Sequence, residues 1–319
     1  MTHRVGMASV ALVLAGAGAC SATPTSVDSS PSDNGSTSTA PASDPDLTPS
    51  QHSRTAPADP ISATATTDKR SLAARPIITV TVGRTLSVSA PDVRAGWANM
   101  EVTRGWAVVA RLAGDYDIDA FNADYESFQS DPGRKGEEAY ERILDRTKFL
   151  GGVAQGNSGS IKLPRPGTYT VMALNTYTGT KSATFRAGRR SLATQDRPST
   201  GGTIHALDGQ EWGGPATLPH EGRLLLTNRG AEFPHMLILQ RVKEGTTAAD
   251  YQEWMYANDP GPHPNLNGTL QTQMLSPRRR MTVDYRLPRG QYAVMCFGTD
   301  PRTGMSHVFQ GELRMIHLN

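Results

Sequence analysis

The sequence predicts an all-β protein, sandwiches or barrels of short strands built twice over, each copy carrying a helical insertion and the pair preceded by a disordered tether. Three observations predict it. Apolar, β-branched or aromatic runs of strand length recur along the chain, separated by Gly, Pro and Asn turns. The run LPRPGTYTVMALNTYTGT (Leu163–Thr180) closely parallels LPRGQYAVMCFGTDPRTG (Leu287–Gly304), which marks an internal repeat. And the stretch from Ser21 to Arg75 is built from Ser, Thr, Pro, Ala and Asp, too poor in large apolar residues to offset its ordering entropy.

The first element is an export signal, residues 1–20. The opening Met-Thr-His-Arg is positive, Val5 to Leu14 is apolar, and the small residues Ala15 to Ala19 lead to Cys20. The run is too short to span a bilayer stably, and no second apolar stretch of spanning length follows. Two cleavage readings compete. Ordinary removal before Cys20 would release a secreted chain. The same residues resemble a bacterial lipobox, with Ala17 where Leu is usual, in which Cys20 is lipidated and anchors the chain to the outer face of the cell membrane. The tether over 21–75 favours the lipoprotein, because a disordered spacer separates an anchor from a folded body.

Residues 76–187 form the first copy. Its strands are expected at Pro76–Val82, Ala107–Leu112, Tyr169–Leu174 and Ser182–Arg186. A helix is expected over Glu137–Phe149, with Tyr140, Ile143, Leu144 and Thr147 on one face. The alternating Asp115, Asp117 and Asp119 lack the Gly and distal Glu of a calcium loop and read as a solvated turn. A polar linker, 188–202, follows.

Residues 203–319 form the second copy. Strands are expected at Arg223–Thr227, Met236–Val242, Met281–Leu287, Tyr292–Phe297 and Val308–Ile316, with His307 opening the last of them. Thr247 with Asp250 three residues on marks a helix start of the capping-box kind. The repeat extends upstream, Glu101–Leu112 paralleling Leu226–Val242, and an Ala-Asp-Tyr triplet follows each (Ala123–Tyr125, Ala249–Tyr251).

The chemistry is concentrated in this second copy. His235 follows Phe233-Pro234, Cys296 ends one strand, and His307 lies eleven residues later. A thiolate and two imidazoles are the trigonal donor set of soft copper sites, completed by a weak axial ligand. If Cys20 is lipidated, Cys296 is the mature chain's one free thiol. The alternative is structural: buried Cys packs as a small hydrophobe, and the two histidines cap strand ends. His205, His220, His263 and His317 stand in separate contexts.

On Asn228, Gly230, Pro234, His235, Gly290, Tyr292, Cys296, Phe297, His307 and Gly311, the chain resembles the cupredoxins, in an exported, plastocyanin-like bacterial branch. The resemblance covers Thr203–Leu318 well and Ile77–Ala187 weakly. It implies two tandem cupredoxin-like Greek-key sandwiches, copper as cofactor, and His235, Cys296 and His307 as its ligands. Five residues past His307, where the family places an axial Met, this chain has Glu312. A carboxylate is a harder, charged donor that favours the oxidised metal or a different one. The first copy carries Ala173 where Cys296 stands and has no histidines to match, so it is a degenerate copy.

Two functions follow: a binding module of the cell envelope that docks a protein partner, or a copper-dependent electron-transfer or copper-handling protein. With 32 Lys and Arg against 30 Asp and Glu, the chain predicts no nucleic-acid partner, and Arg278-Arg279-Arg280 reads as a solvated loop. No nucleophile–base pair, Gly-x-Ser-x-Gly or His-Glu-x-x-His pattern occurs, which predicts a chain that is not an enzyme.

Overall fold

Short strands, the central ones buried at several successive positions, build the same arrangement twice. The computed structural model describes residues 75–131, 133–174, 180–191, 194–257 and 263–319. The expected signal peptide, Cys20 and all but the last residue of the expected tether lie outside the described residues.

The first half contains β1 (Ile77–Val82), β2 (Leu86–Ser89), β3 (Gly96–Arg104), β4 (Trp106–Leu112), α1 (Ile118–Ser130), α2 (Arg134–Arg146), β5 (Thr147–Ala154), β6 (Ser158–Leu163), β7 (Gly167–Ala173) and β8 (Lys181–Ala187). The second contains β9 (Gly202–Leu207), β10 (Glu211–Gly213), β11 (Thr217–Leu218), β12 (Glu221–Asn228), β13 (Ile238–Val242), α3 (Ala248–Tyr256), β14 (Asn265–Gln271), β15 (Arg280–Arg286), β16 (Gly290–Met295) and β17 (Leu313–Leu318). Among the described residues no helix is long and apolar enough to cross a membrane.

The repeat has a structural counterpart. In the first half β6-β3-β1-β2 faces β5-β4-β7-β8; in the second β10-β9-β12-β15 mirrors the former order and β17-β16-β13-β14 the latter. The β1/β3 and β9/β12 pairs are both parallel. The shared Leu-Pro-Arg…Tyr sequence has a physical role in both places. Tyr169 Oη donates to the Arg165 carbonyl at 2.5 Å, and Tyr292 Oη to the Pro288 carbonyl at 2.6 Å, so each phenol pins the turn that leads into its own strand.

The two halves are joined by more than a connecting segment. Strands β6 and β15 pair antiparallel, which fuses the inner sheets into one of eight strands. Gly159 pairs with Val283, and each stands four residues before its Leu-Pro-Arg, so equivalent positions of the repeat meet each other. A local two-fold axis therefore passes through that pair. The approach there is close: a Cβ on Gly159 would lie 2.1 Å from the Thr282 carbonyl oxygen. Arg223 grips Asp284 through two nitrogens, at 2.5 and 2.9 Å, and Ser158 donates to the same carboxylate at 2.8 Å, tying β12, β15 and β6. One apolar core runs through both halves, from Ile78 and Val80 through Ile161 and Met281 to Leu224 and Val294.

Three expectations are corrected. The helix expected at Glu137–Phe149 is α2, three residues earlier, and Thr147 to Phe149 belong to β5, where Thr147 and Phe149 turn inward and Lys148 outward. The three alternating aspartates are not a free turn: Asp117 caps α1 by accepting from the Ala120 amide at 2.9 Å, and Asp119 lies in its first turn. The last strand begins at Leu313 rather than Val308. His307–Gln310 form a 3-10 turn that stops at Gly311, whose φ of 104° a side chain would oppose. The capping box at Thr247 and Asp250 is present as expected, both reciprocal hydrogen bonds included.

Candidate metal centre

Three separate stretches of the second half deliver the four candidate ligands to one place. His235 sits just before β13, held by a two-way backbone exchange with Leu275 (His235 N to Leu275 O 3.1 Å, the return bond 2.8 Å). Asn228, at the end of β12, fixes the intervening loop by donating from Nδ2 to the Phe233 and Leu275 carbonyls at 2.7 and 2.9 Å. Cys296 is the first residue past β16. The chain then turns back through a Thr299–Ser306 bridge, and the His307 amide donates to the Gly298 carbonyl at 2.8 Å. The Glu312 amide closes the 3-10 turn onto the His307 carbonyl at 3.0 Å.

The result is a cluster of His235, Cys296, His307 and Glu312, all buried, whose ligand atoms lie within 4.8 Å of one another. His235 Nδ1 is 2.9 Å from Glu312 Oε1 and 3.0 Å from Oε2. His307 Nδ1 is 3.1 Å from Glu312 Oε2 and 3.6 Å from Cys296 Sγ. Both imidazoles thus point the same nitrogen at the same carboxylate. The Met236 and Gly298 amides aim at the sulfur, at 3.4 and 3.2 Å. Two N–H donors on one sulfur suit a thiolate, which accepts and does not donate. Space at Gly298 is tight, since a Cβ there would come 3.2 Å from that sulfur and 3.1 Å from the Pro234 carbonyl oxygen.

Without a metal the electrostatics hold the cysteine as a neutral thiol and the glutamate as a carboxylate. Burial pushes the Cys296 thiol well above its ordinary value, the Glu312 carboxylate adds to this, and the two amides oppose it. Burial also pushes the Glu312 carboxyl up, but the hydrogen bonds and charges of His235 and His307 overcome it and hold the group below its usual range. Among the described residues His307 Nε2 is buried with no hydrogen-bond partner, and an unpartnered buried polar atom costs about 1–3 kcal/mol. Two imidazoles, a thiolate and a carboxylate are a donor set that fits a metal ion.

Residues around the cluster fix it. Trp212 Nε1 donates to the Glu312 carbonyl at 3.2 Å, and its ring stands edge-on to His235 with centroids 6.3 Å apart. The Phe233 ring centroid lies 5.5 Å from that of His307, and the Arg302 guanidinium lies 4.7 Å above Phe233. Tyr140 of α2, in the other half, is buried beside the ligand loop. Burial pushes its phenol up, Cys296 and Asp300 add to that, and a backbone hydrogen bond from Thr299 opposes it. Nothing in the sequence marks Tyr140, Trp212 or the two amides as neighbours of the cluster. Amides carry no residue signature, and the aromatic residues arrive from distant strands and a helix.

The remaining candidates are elsewhere. Met305 is exposed, and Met315 lies on β17 in a separate apolar cluster. His205 bonds Thr227, His220 the Leu287 carbonyl, and His317 the Glu244 carboxylate, while His263 stands edge-on to Trp254. Asp115 pairs with Arg146, so the aspartates of the first half form no cation site.

No family model matches the chain, and no curated protein matches it. Solved structures do. A reduced auracyanin from the photosynthetic bacterium Roseiflexus castenholzii is 17% identical over 37% of this chain and 94% of its own, with a TM-score of 0.25. A copper-containing nitrite reductase from Thermus scotoductus is 11% identical over 76% of this chain and 61% of its own, with a TM-score of 0.22. A laccase from Botrytis aclada is 12% identical, covering 76% of this chain and 52% of its own, with a TM-score of 0.23. The expectation of a chain that is not an enzyme is corrected by these matches, since nitrite reductase, multicopper oxidase and laccases are enzymes. At such identities the likeness is one of fold. In fold the described residues are all-β and cupredoxin-like: two tandem Greek-key sandwiches, each with a helical insertion.

Proposed function

We propose that this chain is an exported, lipid-anchored copper protein that transfers electrons at the outer face of the cell membrane, with its copper in the second half. His235 and His307 bind through Nδ1, Cys296 through its thiolate sulfur, and Glu312 through its carboxylate. Copper so held supplies a one-electron couple between its two common oxidation states. The observation that carries the reading is the convergence of four buried donors with two backbone amides on the sulfur.

The protein's own part is to hold those donors in place while electrons come and go. Phe233, between exposed Arg302 and His307, provides an aromatic link from the surface to the donors, where an envelope redox partner would dock. The order of charge, apolar run and small residues over 1–20 supports export, and Cys20 with its polar tether supports lipid anchoring.

Adding Cu(II) to the purified chain is expected to load one ion and to produce a visible thiolate-to-copper absorption. Cys296→Ser should remove that band. Failure to take up copper stoichiometrically, or a Cys296→Ser protein that keeps the band, overturns the proposal.

A further inference from the structure

The arginine run read from sequence as a solvated loop belongs to a cleft. Thr227 of β12 pairs with His205 of β9 on one side and Arg280 of β15 on the other, so the three side chains form a row on one face of the shared sheet. Arg229 continues β12 just past this row. Arg278 and Arg279 come from the turn into β15, and Arg197 reaches in from the segment joining the halves. Together they line a cleft of about 510 Å³.

Five guanidiniums share this cleft, and none of its lining side chains among the described residues is acidic. None of the five forms an ion pair with a described carboxylate. Arg279 Nε is buried with no hydrogen-bond partner. Arg278 occupies the left-handed region, with φ of 61°, which costs a non-glycine residue backbone strain. The field is felt nearby. Burial and then the positive charges of Arg280, Arg190 and Arg279 lower Lys162, while burial and then Arg229 lower His205. Like charges that line one cleft, with no described carboxylate among them, attract a polyvalent counter-ion. Planar guanidinium forks match the oxygens of phosphate through paired hydrogen bonds.

We propose that this cleft binds a multiply charged phosphate compound, with Arg229, Arg279 and Arg280 as its principal ligands. The cleft is larger than one phosphate group needs, so the occupant is a diphosphate or a phosphate ester, and it is independent of the metal. The shared chemistry has two sources, a soluble phosphate compound or an anionic lipid headgroup.

The test uses the full chain carrying Cys20→Ser, so that no acyl group holds it to lipid, with pyrophosphate in titration calorimetry and vesicles in co-sedimentation. One-to-one binding of pyrophosphate, weakened about tenfold by Arg229→Gln and again by Arg279→Gln, supports the site with a soluble ligand. Sedimentation with phosphatidylglycerol but not phosphatidylcholine vesicles, lost in the same variants without pyrophosphate binding, supports it with a lipid ligand. Arg134→Gln, an exposed change on α2, should alter neither. Circular dichroism establishes that the variants are folded. Binding of neither probe, or binding unchanged in the cleft variants, overturns the proposal.

Discussion

Glu312 is 0% exposed and shares its carboxylate between His235 and His307, so a full negative charge sits among the donors without water to screen it. Such a charge stabilises the more highly charged, oxidised metal. Replacing it with the neutral, soft thioether of Glu312→Met should raise the reduction potential of the copper-loaded protein, as read by voltammetry; an unchanged or lowered potential would show that Glu312 lies outside the coordination sphere. The three candidate donors were legible in the sequence as residue types. The order His, then Cys and His about one loop, is a pattern of residue types, and all three meet with Glu312 in one buried cluster. The amides on the sulfur were not legible, because any residue but proline supplies one.

Between elements, α2 matters beyond its own half. Its Tyr140 packs with Phe128 (ring centroids 4.3 Å apart) and reaches the loop between Cys296 and His307. Tyr140→Ala should destabilise the fold by about 3 kcal/mol, as expected for removing a buried aromatic ring. It should also speed copper loss to a chelator, because the ligand loop loses a support. Faster unfolding with an unchanged rate of copper loss would confine Tyr140 to packing. The three helices differ in how far the sequence betrays them. Thr247 and Asp250 announce α3 by a reciprocal cap; α1 hides its cap among alternating aspartates; α2 runs directly into β5, where inward Thr147 and Phe149 override helical periodicity.

For the molecule as a whole, the described residues fall within one compact unit, and the β6–β15 pairing makes the two sandwiches share a sheet. Heating should therefore give one cooperative transition for the folded region. Gly159→Ala, whose new methyl would press on the Thr282 carbonyl, should lower stability by about 1–3 kcal/mol and split that transition in calorimetry. A single transition at the original temperature would show that the junction yields freely. The duplication was visible in the sequence as repeated words. The junction was not, because a strand's edge looks the same in sequence whether it meets solvent or another strand, and its partner here lies more than a hundred residues away.

The meeting of Gly159 with Val283 also bears on symmetry. When an edge pairs with its own equivalent, two identical molecules can do the same across a symmetry axis, as in a closed homodimer. The chain has the form of such a dimer held in one polypeptide. Covalent linkage replaces dependence on protein concentration with a fixed, high local concentration of the partner. The half with Ala173 in place of the cysteine carries no matching thiol, yet it places the buried ring of Tyr140 beside the loop between Cys296 and His307, so the half without the cluster still helps to hold the half that has it.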